Sequence, residues 1–233
     1  MNLIITGCEY AGKTTLVKRV AEWKERVLGP SVPLVWFGIH RMPQYHDHFT
    51  IPELGANDLT DEEAAAMWSL SPRLRKFFIT WGMYYHLAQV FYDDSDHILV
   101  GFHLEESVYA PLYYGYGEPG TRPSLSRTLD QEVMKKAPDT VLVLLKASPR
   151  AIAQRMSADP HKHGVLQEKD VEYVLDRFDS EFLESTIRYK FVIDTTDNTE
   201  EETFQQFVEK MYPHLGEADR LRIQTKLPPP ESE

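Results

Sequence analysis

The stretch Gly7-Cys8-Glu9-Tyr10-Ala11-Gly12-Lys13-Thr14 decides how this chain is read. It has the pattern G-x-x-x-x-G-K-T. Before it, Asn2–Thr6 is a short Ile-rich apolar run that reads as a buried parallel strand. After it, Lys13–Val27 carries Leu16, Val17, Val20, Trp23 and Val27 at helical spacing and stops before Gly29-Pro30. Strand, loop and helix in that order make a cradle for phosphate. The glycines let backbone N–H groups turn inward toward anionic oxygens. The helix adds about half a positive charge at its N-terminus. Gly7, Tyr10, Ala11, Gly12, Lys13, Thr14 and Thr15 are therefore the candidate residues around a nucleotide's phosphates. Lys13 would bridge the terminal phosphates and the Thr14 hydroxyl would ligate Mg²⁺. Cys8 reads as a small packing residue without a redox role.

Outward from this loop the pattern keeps alternating. Further strands are expected at Pro33–Phe37, His97–Gly101, Thr140–Lys146 and Lys190–Asp194. Helices are expected at Asp61–Trp68, with Thr60 and Glu63 at capping-box spacing, and from Arg73 to Tyr92, aromatic on most sides and so expected to be well buried. Others are expected at Glu105–Tyr114, Leu125–Lys136, Pro149 to Met156, Lys169–Arg188 and Thr199–Tyr212. His40–Asp58 has three prolines and no period, and reads as loop. The sum is an α/β fold: a five-stranded parallel sheet with helices on both faces, in three layers. Residues 1–215 form one domain on this reading, and 216–233, ending in LPPPESE, a loosely held tail.

Composition narrows the function. The 233 residues are 42% hydrophobic and 26% charged, an ordinary globular balance. The formal net charge of −11 argues against a general DNA or RNA binder, because affinity for a nucleic-acid backbone comes mostly from Lys and Arg. With Cys8 the one cysteine, no intrachain disulfide can form and a reducing, cytoplasmic setting fits. No apolar run is long enough to span a membrane, and the N-terminus enters a strand pattern rather than a signal peptide.

The loop and the order of elements resemble the P-loop nucleotide-kinase group, especially its thymidylate kinase and deoxynucleoside kinase branch, over roughly residues 1–212. The resemblance implies the three-layer P-loop NTPase fold, ATP as donor, Mg²⁺, a small-molecule nucleotide or nucleoside acceptor and a lid, here about residues 157–167; a homodimer is left open. Glu105-Glu106-Ser107-Val108-Tyr109 resembles the Glu-Arg-Ser run of deoxynucleoside kinases, with Glu106 in place of arginine. In the thymidylate kinase register, Phe102-His103 stands where Asp-Arg is expected. Glu105 is the candidate general base or Mg²⁺-side carboxylate, and Glu106 reads as a solvated or helix-start acid. Arg41 matches the arginine that holds an acceptor phosphate, or is a solvated loop residue. Tyr113-Tyr114-Gly115-Tyr116-Gly117 resembles the Tyr-Gln-Gly-x-Gly run of thymidylate kinases, departing at Tyr114. After the fourth strand, Arg155 matches the arginine that opens the lid and is the candidate for neutralising charge on the transferring group. Asp194-Thr195-Thr196-Asp197 resembles the loop that touches adenine.

On the helix from Arg73, Trp81, Tyr85 and Gln89 share a face and could offer a nucleobase a flat wall and an amide, or pack in the core. Arg73 could meet an acceptor phosphate or lie on the surface. His161-Lys162-His163 and His46-Asp47-His48 read as solvated loops rather than metal sites. Three functions stand on these residues: a kinase acting on a nucleoside or its monophosphate, a nucleotide-binding regulator or degenerate kinase, and a kinase acting on polynucleotide ends or modified bases.

Overall fold

In the computed structural model, residues 1–29, 39–41, 49–51, 55–57, 60–87, 96–117, 124–161 and 164–226 are described. In chain order the elements are β1 (Asn2–Gly7), α1 (Lys13–Val27), β2 (Ile39–Arg41), β3 (Phe49–Ile51), β4 (Gly55–Asn57), α2 (Asp61–Ser69) and α3 (Pro72–Tyr85). Then follow β5 (His97–Val100), α4 (Phe102–Tyr109), α5 (Ser124–Lys136), β6 (Val141–Lys146), α6 (Pro149–Ala158), α7 (Val171–Glu184), β7 (Tyr189–Asp194), α8 (Glu200–Met211) and α9 (Glu217–Lys226). A π-turn at Ala110–Tyr114 extends α4, and a 3₁₀ turn at Glu168–Asp170 leads into α7.

β1 and β6 lie at the centre because they are apolar on both faces: five of six residues are buried in each. The sheet order is β2-β5-β1-β6-β7, and every pairing is parallel. β2 has only three residues. Two groups of helices cover the sheet: α1 packs with α8 and α9, while α4 packs with α5 and α7. The chain leaves β1 toward β5 on one side and reaches β6 on the other. Such a reversal of strand order opens a crevice at the carboxyl ends of the strands, where ligands bind in open α/β sheets.

Local signals set the helix starts. Thr60 and Glu63 form a reciprocal capping box on α2, as do Thr199 and Glu202 on α8. Ser71-Pro72 and Ser148-Pro149 start α3 and α6 with a hydroxyl cap and a proline in the first turn.

The strand expected at Pro33–Phe37 lies outside the described residues; among those described, Ile39–Arg41 pairs with β5. Three other expectations are corrected. The stretch read as loop contains that strand's end and the antiparallel hairpin β3–β4. The aromatic helix is not well buried: Phe77 is 72% exposed, Trp81 49% and Tyr84 45%. It ends at Tyr85, where His86 caps it. Residues 217–226, read as part of a loose tail, form α9. Arg222 on α9 bonds both oxygens of buried Asp96 (2.9 and 3.0 Å) and the Leu28 carbonyl (3.0 Å). Asp96 also receives fully buried Lys24 at 3.1 Å and the Met1 amine at 2.8 Å.

Burial alone would push Asp96 up, but Arg222, the Met1 amine and Lys24 together hold it well below the usual carboxylate range. Its folded pKa lies below the unfolded 3.8, so its contribution is complete above about pH 4 and is lost as pH falls further. Asp96→Ala strands Lys24 and is expected to cost about 3–5 kcal/mol in denaturant titrations at pH 7, and less at pH 3. Gly7 also tolerates no side chain, since a Cβ there would lie 2.4 Å from the Leu145 carbonyl oxygen. Gly7→Ala is expected to lower stability by about 1–3 kcal/mol in the same titration.

Candidate active site

The phosphate loop winds through three left-handed positions. Gly7 has φ 146°, Tyr10 65° and Gly12 90°. Glycine suits this conformation, and Tyr10 adopts it at a cost of order 1–3 kcal/mol that its side-chain contacts must offset. Gly12 stands at the N-cap of α1 with no side-chain hydrogen bond, and the first turn of α1 holds no acidic residue. With glycine at the cap, no cap side chain bonds the N–H groups at this helix start. Gly12 and Thr14 are exposed, Lys13 and Thr15 half-buried and Ala11 buried. The Lys13 ammonium donates to the carbonyls of Gly7 (2.5 Å) and Cys8 (3.0 Å) and lies 3.2 Å from Glu105 Oε1. The thiol of Cys8 is pushed up to about 12 by burial, so it stays protonated at neutral pH.

Two braces hold the loop from behind. Tyr109 of α4 accepts the Glu9 N–H (2.8 Å) and donates to Cys8 Sγ (3.8 Å). Burial raises the Tyr109 hydroxyl pKa well above 10. Arg155 of α6 donates to the Tyr10 carbonyl (3.0 Å), to Thr195 Oγ1 (3.2 Å) and to the Thr195 carbonyl (2.5 Å). The Thr195 hydroxyl lies 3.1 Å from both the Ala11 and Lys146 carbonyls. Arg155 therefore reaches the loop where the sequence sends it, but its guanidinium grips backbone carbonyls of two loops.

β5 ends at Val100, and the chain turns into α4 through Gly101, with φ 76°, and Phe102, with φ 53°. α4 thus begins three residues before the helix start expected at Glu105. A Cβ on Gly101 would fall 1.6 Å from Glu105 Oε2, so glycine lets the Glu105 carboxylate fold back over the strand end toward Lys13. Glu106 faces Tyr116, whose hydroxyl donates to it. Burial pushes Glu106 up to about 8, with Glu105 adding repulsion against the opposing pull of Tyr116 and Lys76. His103 turns into the core onto Asp130 (2.6 Å), which also takes Ser185, Thr186 and Arg127.

The remaining acceptor candidates are spread out. Arg41 closes β2 opposite Val100, at the same sheet edge as the loop; its side chain lies outside the described residues, as does Gln89. Arg73 is exposed on the first turn of α3. Trp81 and Tyr85 stack with centroids 5.7 Å apart at 21°. The Tyr10 side chain leaves the phosphate side and stacks on His161. Among the described residues, no group of three or more His, Cys, Asp or Glu gathers to hold a metal ion alone. Mg²⁺ is commonly held by one or two protein groups together with substrate phosphates. Thr14 and Glu105 fit that mode. No described helix is long and apolar enough to cross a membrane.

No family model matches the chain, and no curated protein matches it. Solved structures do. The YorR protein of Bacillus subtilis, in complex with phosphorylated GDP, matches with TM-score 0.59 at 13% identity over 93% of this chain and 99% of its own. Deoxyadenosine kinase from M. mycoides with bound dATP gives 0.57 at 12% over 91% and 100%. Thymidylate kinase from Ehrlichia chaffeensis gives 0.54 at 16% over 90% and 97%. The chain has the fold of the P-loop nucleotide and nucleoside kinases.

Proposed function

We propose that the chain is an ATP-dependent phosphotransferase that moves the γ-phosphoryl group to a nucleoside or a nucleoside monophosphate, in a reducing, cytoplasmic setting. One observation carries this reading: the Lys13 ammonium lies 3.2 Å from buried Glu105 at the open N-terminus of α1, joining a phosphate cradle to a candidate base. Bound ATP with Mg²⁺ would supply the transferable group and neutralise its charge. Lys13 would exchange its carbonyl partners for phosphate oxygens. Thr14, exposed in the first turn, would hold Mg²⁺. Glu105 would take the proton of an attacking nucleoside hydroxyl or, with a monophosphate acceptor, support Mg²⁺. Arg155 positions the loop by joining Tyr10 to Thr195, and is proposed to neutralise charge on the transferring group. Arg41, at the carboxyl end of β2, and Arg73 are proposed for an acceptor phosphate, and Tyr85 with Trp81 and Gln89 for the base.

A homodimer is part of the proposal. Leu74, Phe77 and Tyr84 recur along α3 at spacings of three and seven, and all are exposed. Sedimentation equilibrium is expected to show a dimer that Phe77→Asp converts to monomer. A monomeric wild type removes this part.

A second reading, nucleotide binding without transfer, is favoured by Glu106, an acid held by Tyr116 where the resembling kinases carry arginine. Single-turnover transfer from ATP, screened over nucleosides and monophosphates, separates the two. Transfer is expected to at least one acceptor. Lys13→Ala is expected to abolish ATP binding, and Glu105→Gln to slow transfer about 10²–10⁴-fold with ATP binding retained. ATP binding with no transfer to any acceptor favours the second reading.

A further inference from the structure

Glu9 and Tyr10 fasten the segment after α6 to the phosphate loop. The buried Glu9 carboxylate accepts the backbone N–H groups of Val165 (3.2 Å) and Leu166 (3.3 Å). The Tyr10 hydroxyl accepts the His161 N–H (3.0 Å), and the two rings stack 4.0 Å apart at 18°. Gly164 makes room for this: a Cβ there would lie 3.1 Å from Glu9 Oε2 and 3.2 Å from the Tyr10 hydroxyl.

Two successive backbone N–H groups converging on one carboxylate form an anion receptor. The anion in it belongs to the phosphate loop itself, so receptor and cradle stand one side chain apart. Among the described residues of this segment, the backbone N–H groups of His161, Val165 and Leu166 point at the loop. From this geometry, and resting on the reading of residues 7–14 as a nucleotide site, we infer that the Val165 and Leu166 amides are a second anion subsite, for the outer phosphates of the nucleotide, which Glu9 holds until phosphate displaces it. Glu9 is then an internal competitor and not only a tether. The two roles have opposite signs. Removing a competitor tightens phosphate binding, whereas removing a tether weakens it.

The test uses the full chain and its Glu9→Gln and Gly164→Ala variants. Glutamine keeps the shape and removes the charge. Gly164 is not in a left-handed conformation, so alanine acts there through its contact with Glu9 and Tyr10. Calorimetric titration with MgATP and with inorganic tripolyphosphate is combined with hydrogen exchange at Val165 and Leu166. Without ligand, both variants are expected to exchange these amides about tenfold faster than wild type, and both ligands are expected to bind them about tenfold more tightly and restore protection. Equal or weaker binding by Glu9→Gln, or amides left unprotected in its complex, overturns the subsite while the nucleotide reading stands. A wild type that binds neither ligand overturns that reading.

Discussion

The carbonyl oxygen of Leu145 occupies the space where a side chain on Gly7 would lie. That contact between β1 and β6 fixes where the first strand must end, and so where the loop turns. From there the backbone passes through left-handed residues at 10 and 12 and arrives at α1 with glycine at its N-cap. The arrangement holds because β1 sits between β5 and β6. Glu105 arrives from one neighbour, and the segment carrying Arg155 from the other.

The loop is held by contacts far apart in sequence. Tyr109 lies 100 residues from the amide it accepts, and Arg155 lies 145 residues from the Tyr10 carbonyl. Each depends on the register of a different strand. A backbone that must present N–H groups cannot also satisfy itself as helix or sheet, so its carbonyls and stray amides need outside partners. Tyr109, Arg155 and Thr195 supply them. The same pressure explains Tyr10, which takes an unfavourable backbone angle and recovers stability through stacking and a hydrogen bond.

What was legible in the sequence was local. The first strand, the glycine-lysine loop and α1 announce themselves within thirty residues, and capping boxes at Thr60–Glu63 and prolines after serine mark helix starts by short-range hydrogen bonding. β5, β6 and β7 were legible as apolar runs. The described part of β2, Ile39-His40-Arg41, is too short and mixed to show a period, and its pairing with β5 makes it a strand. α9 was missed because its sequence is polar; Arg222 reaching buried Asp96 and Asp219 taking the Met1 amine hold it. The burial of α3 was overestimated because aromatic content was taken for core, while Phe77 and Trp81 face outward. In the site, Lys13, Thr14 and Glu105 could be named from motifs. The part Glu9 plays could not, since its partners are backbone amides, which leave no trace in side-chain identity.

The far end of α1 is settled by chain made much later. Lys24 is buried against Asp96, and Arg222 clamps both Asp96 and the Leu28 carbonyl just past the helix. During synthesis the loop and its helix precede their rear anchor, which is translated only after the seven strands and eight helices described before it. A nascent chain stalled before residue 217 would carry every residue of the cradle and still lack the bolt that stops its helix from shifting lengthwise.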